Sequence, residues 1–301
     1  MNRYREIELT DKPSFDRILN ELGPESSDLT FTNLFMWKHN YGLHISYEPE
    51  LDYWLIFAQP PSPKWKPFFL PPVGDWANRE KLHAALELMV ATANAADAAF
   101  RIRRAPAALV QAIQAAGFPI HQKEERYTYD YLYRTEDLIN LSGRKYHSKR
   151  NHLNQFQRKY HWEFAKITPE IAAECLEIEQ DWFNISKTRE LLTDEEWAMA
   201  TVFRNFEALK VTGGVLRIEG QIAAIAVGER LNQNTAVIHI EKANTEFDGI
   251  YVAINQQFAA NCWQDWEFIN REEDMGLDGL RQSKLSYHPY QLIEKYSIIQ
   301  A

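Results

Sequence analysis

Residues 214–241, GVLRIEGQIAAIAVGERLNQNTAVIHIE, decide the fold because they predict three successive β-strands. The predicted strands are Gly214–Ile218, Gln221–Arg230 and Ala236–Glu241, three runs rich in β-branched and small apolar residues. Gly220 supplies the tight turn between the first two strands, where a residue without a side chain is favoured. Short connections of this kind join antiparallel neighbours, so we expect a meander.

The surrounding sequence alternates predicted helices and strands around this meander. Before it lie three predicted helices, at Tyr146–Tyr160, Pro169–Trp182 and Asp194–Leu209. After it come a loop, a helix, a strand, a helix and a strand, at 243–249, Ile250–Cys262, Trp266–Ile269, Leu277–Leu285 and Gln291–Tyr296. The order helix, helix, three antiparallel strands, loop, helix, strand, helix, strand is that of the GNAT acyltransferase fold.

The first half of the chain has a similar pattern of elements. Its predicted helices are Ser14–Leu22, Thr30–His39, Asn78–Asp97 and Ala107–Ala116. Its predicted strands are Leu43–Glu48, Tyr53–Gln59, Pro67–Leu70, Phe100–Arg104 and Arg126–Tyr133. We therefore predict an α/β (α+β) protein of two tandem GNAT-like acyltransferase domains with mixed, mostly antiparallel sheets. The predicted domains are residues 1–140 and residues 141–301.

Composition limits the classes of partner and compartment. The net charge of −9 gives no general attraction to nucleic acid or to an anionic membrane, so such a partner needs a local basic patch. The two cysteines, Cys175 and Cys262, are far apart, which is typical of a reducing cytoplasm rather than a disulfide scaffold. We find no predicted signal peptide and no transmembrane run, and we expect a cytoplasmic protein.

Two charged stretches stand out from this background. Residues 268–287 combine four acidic and three basic side chains directly after an apolar strand. Residues 143–160 hold six Lys or Arg residues, and no acidic residue occurs between Asp137 and Glu163. Charges crowded at the end of a strand either reduce stability or serve chemistry, so both stretches are candidates for a functional site.

Three runs of sequence carry a resemblance to a known family. They are LSGRKYHSKRNHLNQF at 141–156, HIEKANTEFDGIYVAINQQFA at 239–259 and NREEDMGLDGLRQSKLSYHP at 270–289. With FTNLFMW at 31–37, they resemble a bacterial family of unknown function related to the C-terminal domain of phosphatidylglycerol lysyltransferases. The resemblance covers essentially the whole chain. It implies a tandem GNAT fold shared with Fem-type peptidyltransferases.

The resemblance also implies a reaction. Fem-type relatives move an aminoacyl group from a charged tRNA to an amine or hydroxyl. Because an aminoacyl-tRNA ester is already activated, such an enzyme needs no bound cofactor. It needs a group that accepts a proton, a group that stabilises an oxyanion, and cations that hold phosphates. We expect the acceptor to be a small amine, a peptide or a lipid head group.

Three residues are candidates for direct chemistry: Glu241, Asp274 and Lys284. Glu241 ends a predicted strand where a GNAT sheet opens toward the acyl donor, and it could accept a proton or bind an amino group; a solvated pair with Lys242 is the alternative. Asp274 precedes Gly276, so turn formation is its alternative role. Lys284 is carried over from the resemblance, since residues 279–284, GLRQSK, are similar to a segment that closes the acyl site in Fem-type enzymes.

Further residues are candidates for substrate binding. They are Lys145, Lys149, Arg150, Asn151, His152, Glu273, Arg281 and Tyr287. Residues 144–159 could track the acceptor stem of a tRNA, although basic helices more often present a solvated face. Lys149 falls within the apolar arc of the helix, so either the helix starts later or its ammonium faces a site. Paired acids at 272 and 273 could bind a cationic side chain, or Arg271 and Arg281 could neutralise them.

Several classes of site are disfavoured by the sequence. The histidines of the basic stretch have no zinc-like spacing, so no metal is predicted. Residues 242–249, KANTEFDG, hold one glycine and two acids where a GNAT enzyme would bind pyrophosphate, so coenzyme A is the less favoured donor. A coenzyme A-dependent N-acyltransferase and a non-catalytic module that binds peptide or tRNA remain as alternatives. The oligomeric state is not predicted.

Overall fold

The computed structural model describes residues 3–183 and 189–301 and has an α+β architecture. The chain forms two compact units. Unit 1 contains residues 1–130, 273–276 and 293–301, and unit 2 contains residues 131–272 and 277–292. The predicted domains, 1–140 and 141–301, follow the chain without this exchange of segments.

Unit 1 is built on a seven-stranded sheet of order β1-β2-β3-β4-β5-β14-β6. Its strands are β1 (Arg5–Glu6), β2 (Leu43–Glu48), β3 (Tyr53–Ala58), β4 (Phe68–Phe69), β5 (Arg101–Pro106), β6 (Ile120–Glu124) and β14 (Lys295–Gln300). Its helices are α1 (Lys12–Leu22), α2 (Phe31–Met36), α3 (Lys38–Tyr41), α4 (Arg79–Ala95) and α5 (Ala107–Ala115). Strands β4 and β5 pair in parallel, whereas β2 with β3 and β14 with β5 and β6 pair antiparallel.

A buried ion network joins β14 to the rest of unit 1. The Lys295 ammonium is fully buried and lies 2.5 Å from an Asp28 carboxylate oxygen and 2.6 Å from one of Asp130. Burial opposes ionisation of Asp28, but Lys295 and Arg104 outweigh it and lower the pKa of Asp28 to about 2. The C-terminal strand is therefore held in this sheet by paired charges as well as by backbone hydrogen bonds.

Unit 2 is built on a second seven-stranded sheet, of order β13-β7-β12-β11-β10-β9-β8. Its strands are β7 (Asp130–Arg134), β8 (Trp162–Lys166), β9 (Thr212–Ile218), β10 (Gln221–Arg230), β11 (Thr235–Ala243), β12 (Phe268–Asn270) and β13 (Gln291–Ile293). Its helices are α6 (Thr135–Asn140), α7 (His147–Lys159), α8 (Pro169–Phe183), α9 (Arg189–Arg204), α10 (Phe206–Leu209), α11 (Ile250–Cys262) and α12 (Asp278–Leu285). Strands β11 and β12 pair in parallel, as β4 and β5 do in unit 1.

The predicted meander forms the centre of this sheet. Strand β10 pairs antiparallel with both β9 and β11. The register with β11 shifts between Val227 and Gly228, a β-bulge that leaves no space for a side chain: a Cβ on Gly228 would lie 2.3 Å from the Val237 carbonyl oxygen. Strand β11 continues two residues beyond the predicted end at Glu241, which pairs with Ala226 inside the sheet.

The predicted fold class is confirmed, with two mixed, mostly antiparallel sheets flanked by helices. Four helices or strands were not predicted: β1, β6, α6 and β8. The segment predicted as a strand from Arg126 starts at Asp130, because Arg126–Thr128 forms a 3-10 turn. Among the described residues, no helix combines the length and the apolar character needed to cross a bilayer.

Candidate functional site

The centre of the candidate site is an ion pair in unit 2 between Glu241 and Arg271. Glu241 lies on β11, and Arg271 directly follows the parallel strand β12. Arg271 Nη2 donates to Glu241 Oε1 at 2.8 Å, and Asn255 Nδ2 of α11 donates to Oε2 at 3.1 Å. Both side chains of the pair are largely buried, with 12% and 13% of their surfaces exposed. Donors on both oxygens fix the orientation of the carboxylate.

Two polar atoms beside this pair lack a partner. Within the described part of the chain, Nη1 of Arg271 and Oδ1 of Asn255 are buried without a hydrogen bond. Buried polar atoms are nearly always hydrogen-bonded, because an unsatisfied one costs about 1–3 kcal/mol. A free donor and a free acceptor at one carboxylate therefore point to a ligand position.

The basic helix reaches this position through Lys149. Its Nζ lies 4.0 Å from the centroid of the Tyr287 ring, and the guanidinium carbon of Arg271 lies 4.9 Å from the same centroid. Helix α7 begins at His147, one residue later than predicted, and Lys149 is half-buried. The helix thus starts later than predicted, and the orientation of Lys149 toward a site stays a prediction.

The electrostatic environment of Lys149 is unusual for an ammonium group. Burial and, to a smaller extent, repulsion from Arg271 lower the pKa of Lys149 to about 8, and attraction to Glu241 opposes both effects only in part. About a tenth of these side chains are therefore neutral amines at pH 7. Tyr287, whose ring Lys149 contacts, is held in place because Tyr146 Oη donates to the Tyr287 carbonyl oxygen at 2.8 Å.

Helix α12 brings Lys284 to the base of the site. Its Nζ donates to the carbonyl oxygen of Arg271, and Tyr133 Oη donates to the Lys284 carbonyl oxygen at 2.8 Å. Only 8% of Lys284 is exposed. These contacts fix the turn that follows β12 and hence the position of the Arg271 guanidinium. The catalytic role expected for Lys284 stays a prediction.

A second ionic group lies on the same strand as Glu241. His239 is fully buried, and its two ring nitrogens lie 2.9 Å from Glu229 Oε1 and 2.7 Å from Glu272 Oε1. Burial alone would lower the pKa of His239, but the hydrogen bonds to both carboxylates outweigh it and raise the pKa to about 10. His239 is thus an imidazolium at neutral pH, held between two carboxylates.

The acidic triplet at 272–274 is divided between the two units. Glu272 belongs to unit 2 and contacts His239, whereas Glu273 and Asp274 belong to unit 1. Glu272 and Glu273 therefore contact different residues, His239 and Arg104. A run of sequence does not reveal which distant base folds against each acid.

In unit 1 each remaining acid has its own arginine. Glu273 Oε1 accepts from Arg104 Nη2 at 2.7 Å. Asp274 is fully buried, and its oxygens accept from Arg126 Nη1 at 3.1 Å and from the Gly276 backbone at 2.8 Å. These contacts are those of a carboxylate that stabilises a turn, which is the alternative role stated above for Asp274. The catalytic role of Asp274 and the binding role of Glu273 stay predictions.

The other predicted binding residues have local contacts in unit 2. Lys145 lies 3.2 Å from an Asp137 oxygen, and Arg150 donates to the carbonyl oxygens of Leu141 and Gly143. Asn151 and His152 are exposed on the outer face of α7. Arg281 is half-buried on α12. Their roles in binding substrate remain predictions.

Two important residues were not singled out from the sequence. Asn255 lies within IYVAINQQFAA, and a polar residue at a buried position of an apolar helix was a usable signal. His239 precedes Glu241 by two residues on β11 and lies where the register with β10 shifts. Arg271 was considered only as a neutralising charge for its acidic neighbours.

Comparison with known proteins identifies relatives along the whole chain. Residues 19–299 match the family described as phosphatidylglycerol lysyltransferase, C-terminal. A conserved protein of unknown function from Bacteroides thetaiotaomicron is 31% identical, has a TM-score of 0.90, and matches over 99% of both chains.

Two further matches are more distant or cover less of the chain. L-PGS from Bacillus licheniformis is 14% identical with a TM-score of 0.66, over 96% of this chain and 92% of that one, which shows a shared fold. An uncharacterised protein of Mycoplasmoides gallisepticum is 28% identical over 177 residues. That match spans 56% of this chain and 55% of the relative, so the chain covers about half the length of that curated protein.

Proposed function

Since the chain belongs to the phosphatidylglycerol lysyltransferase C-terminal family, we propose that it is an aminoacyltransferase acting at the Glu241–Arg271 site. In this proposal an aminoacyl group moves from a charged tRNA to the amine or hydroxyl of a lipid head group, a peptide or a small molecule. The new amide or ester bond forms at the acyl carbon, the ester bond to the tRNA ribose breaks, and the ribose oxygen leaves with a proton.

One observation carries the proposal: Lys149 of the basic helix and Arg271 of the carboxylate pair both contact the Tyr287 ring, at 4.0 and 4.9 Å. The stretch 143–160, with six Lys or Arg residues, thus supplies one of its cations to the same ring that the arginine of the buried ion pair contacts. A donor with a phosphate backbone and an ester at its end requires this combination of cations and a polar reaction centre.

The contacts of Glu241 favour a particular role. Because Arg271 and Asn255 occupy one oxygen each, the carboxylate is held in place rather than free to rotate. A fixed carboxylate can orient the attacking amine or hydroxyl by accepting its hydrogen bond.

The start of helix α11 supports the expectation that coenzyme A is not the donor in unit 2. Gly249 packs against α7 so closely that a Cβ there would lie 2.8 Å from the His152 carbonyl oxygen. The backbone amide of Asp248 donates to Tyr160 Oη at 3.1 Å, and the Asp248 carboxylate lies 2.9 Å from Lys159 Nζ. This turn carries a negative charge and is covered by α7, which is unfavourable for a pyrophosphate.

The direct test is transfer of radiolabelled amino acids from a mixed pool of charged tRNAs to extracts of lipid, peptide and small amines. We expect labelled product with the wild-type protein and a loss of at least about a hundredfold with Glu241→Gln. Glu246→Gln is the matched control, because Glu246 is an exposed acid in the loop that follows the same strand.

Absence of transfer, together with absence of protection of charged tRNA from hydrolysis, would refute the proposal. Tight binding of acetyl coenzyme A in calorimetry would instead support an N-acyltransferase. Transfer by Glu241→Gln at the wild-type rate would remove this site from the reaction.

A further inference from the structure

Two cationic groups of unit 2 have donor atoms for which the described residues provide no anionic acceptor. Within the described residues, no carboxylate is close enough to form an ion pair with Lys149, whose ammonium lies on the Tyr287 ring. Arg271 uses Nη2 for Glu241, while its Nη1 is buried without an acceptor. The carboxylate of Glu241 is already bonded at both oxygens, so it cannot serve both cations fully.

We propose that the Lys149 ammonium and the free Nη1 of Arg271 form an anion-binding site that takes a phosphate or carboxylate group of the substrate. Local charge supports this choice, since two cations and one anion surround the Tyr287 ring. Phosphate and carboxylate oxygens form short, charge-assisted hydrogen bonds with both donor types, and these bonds are about twice as strong as those between neutral groups.

The site is built before the ligand arrives. Arg271 is held by Glu241 on one side, and the Lys284 ammonium bonds its carbonyl oxygen. Tyr287 is held through its own carbonyl oxygen by Tyr146. Lys149 comes from helix α7, so the two cations are supplied by different elements and converge on one ring. A ligand therefore loses little entropy in ordering the side chains that bind it.

The protonation of Lys149 should respond to the ligand. Burial and the neighbouring Arg271 lower its pKa to about 8, and Glu241 partly opposes them by favouring the ammonium. A bound anion adds a second favourable charge, so binding should raise that pKa and take up protons above pH 8. Affinity for an anion of constant charge should consequently fall as the pH rises from about 8.

The inference depends on the proposed function only for the identity of the molecule that carries the anionic group. The group could be a phosphodiester at the end of a tRNA donor or an anionic group of the acceptor. Adenosine monophosphate and acetate distinguish these sources, because the first presents a phosphate on a nucleoside and the second a carboxylate alone. Tighter binding of the first would indicate the donor, and tighter binding of the second would indicate the acceptor.

The experiment is calorimetric titration of the full chain with sulfate at constant ionic strength. Sulfate serves as the probe because its charge does not change between pH 6 and 10. We expect Lys149→Met to weaken sulfate binding by about tenfold or more. Lys159→Met is the matched control, because Lys159 is an exposed lysine of the same helix that pairs with Asp248, and it should leave the affinity unchanged.

Equal sulfate affinity in the wild type and Lys149→Met would overturn the inference. A loss of affinity in Lys159→Met as large as that in Lys149→Met would also overturn it, because it would indicate diffuse attraction to the helix. Lys149→Arg keeps the charge without the lowered pKa, so it should retain binding and lose the decline above pH 8. Failure of the proposed function is distinguishable: it would appear as absent aminoacyl transfer while sulfate binding still depended on Lys149.

Discussion

The lowered pKa of Lys149 predicts that this lysine will react with acylating reagents in a different pH range from the other lysines. Only a neutral amine attacks such reagents, so the labelling rate follows the neutral fraction. With a pKa of about 8, the neutral fraction of Lys149 rises about tenfold between pH 7 and pH 9 and then levels off. A lysine whose pKa is near 10.4 or above rises about a hundredfold over the same interval and continues to rise.

Lys159 provides the comparison within one helix. Hydrogen bonds with Tyr160 and with Asp248 raise the pKa of Lys159, and its side chain is exposed. Dividing each residue's rate at pH 9 by its own rate at pH 7 removes differences in accessibility between the half-buried and the exposed lysine. The expected ratios are about 10 for Lys149 and about 100 for Lys159.

The assay is competitive labelling with acetic anhydride, with a small added amine as internal standard and peptide mass spectrometry as the readout. Glu241→Gln should shift the Lys149 midpoint to lower pH, because it removes a charge that favours the ammonium. A Lys149 profile that matches that of Lys159 would refute the reasoning, since it would mean that the ammonium is solvated.

Three further predictions concern stability. Lys295 is fully buried between two aspartates at 2.5 and 2.6 Å, so Lys295→Met should lower the free energy of unfolding in urea by about 3–5 kcal/mol; a loss below about 1 kcal/mol would contradict this. His239 has a folded pKa of about 10 against 6.5 when unfolded, so its stabilisation is complete below pH 6.5 and is lost as the pH rises to about 10; His239→Gln should lack that slope in thermal melts. Gly249 has a φ of +83°, and an added Cβ would lie 2.8 Å from the His152 carbonyl oxygen, so Gly249→Ala should lower the free energy of unfolding by about 1–3 kcal/mol more than an unstrained substitution. Gly117→Ala, at a φ of +71° with open space around it, is the control for backbone strain alone.

The elements of the fold were largely predictable because hydrophobic periodicity is a local property. Strand β10 and helix α11 have the predicted bounds, Gln221–Arg230 and Ile250–Cys262. Strand β6 was missed because its residues, IHQKE, are exposed except for a half-buried isoleucine, so there is no alternation to detect. The placement of β14 in the first sheet could not be predicted, since it depends on a buried lysine that meets aspartates more than 160 residues away.

The candidate site was predictable in part, because some of its signals are also local in the sequence. Lys149 conflicted with the apolar arc of its helix, and that local conflict indicated a position facing a site. No local pattern could indicate that Glu272 would meet His239 while Glu273 met Arg104, because these partners come from other strands. Residue types near a strand end can therefore be predicted to matter before their pairing can be predicted.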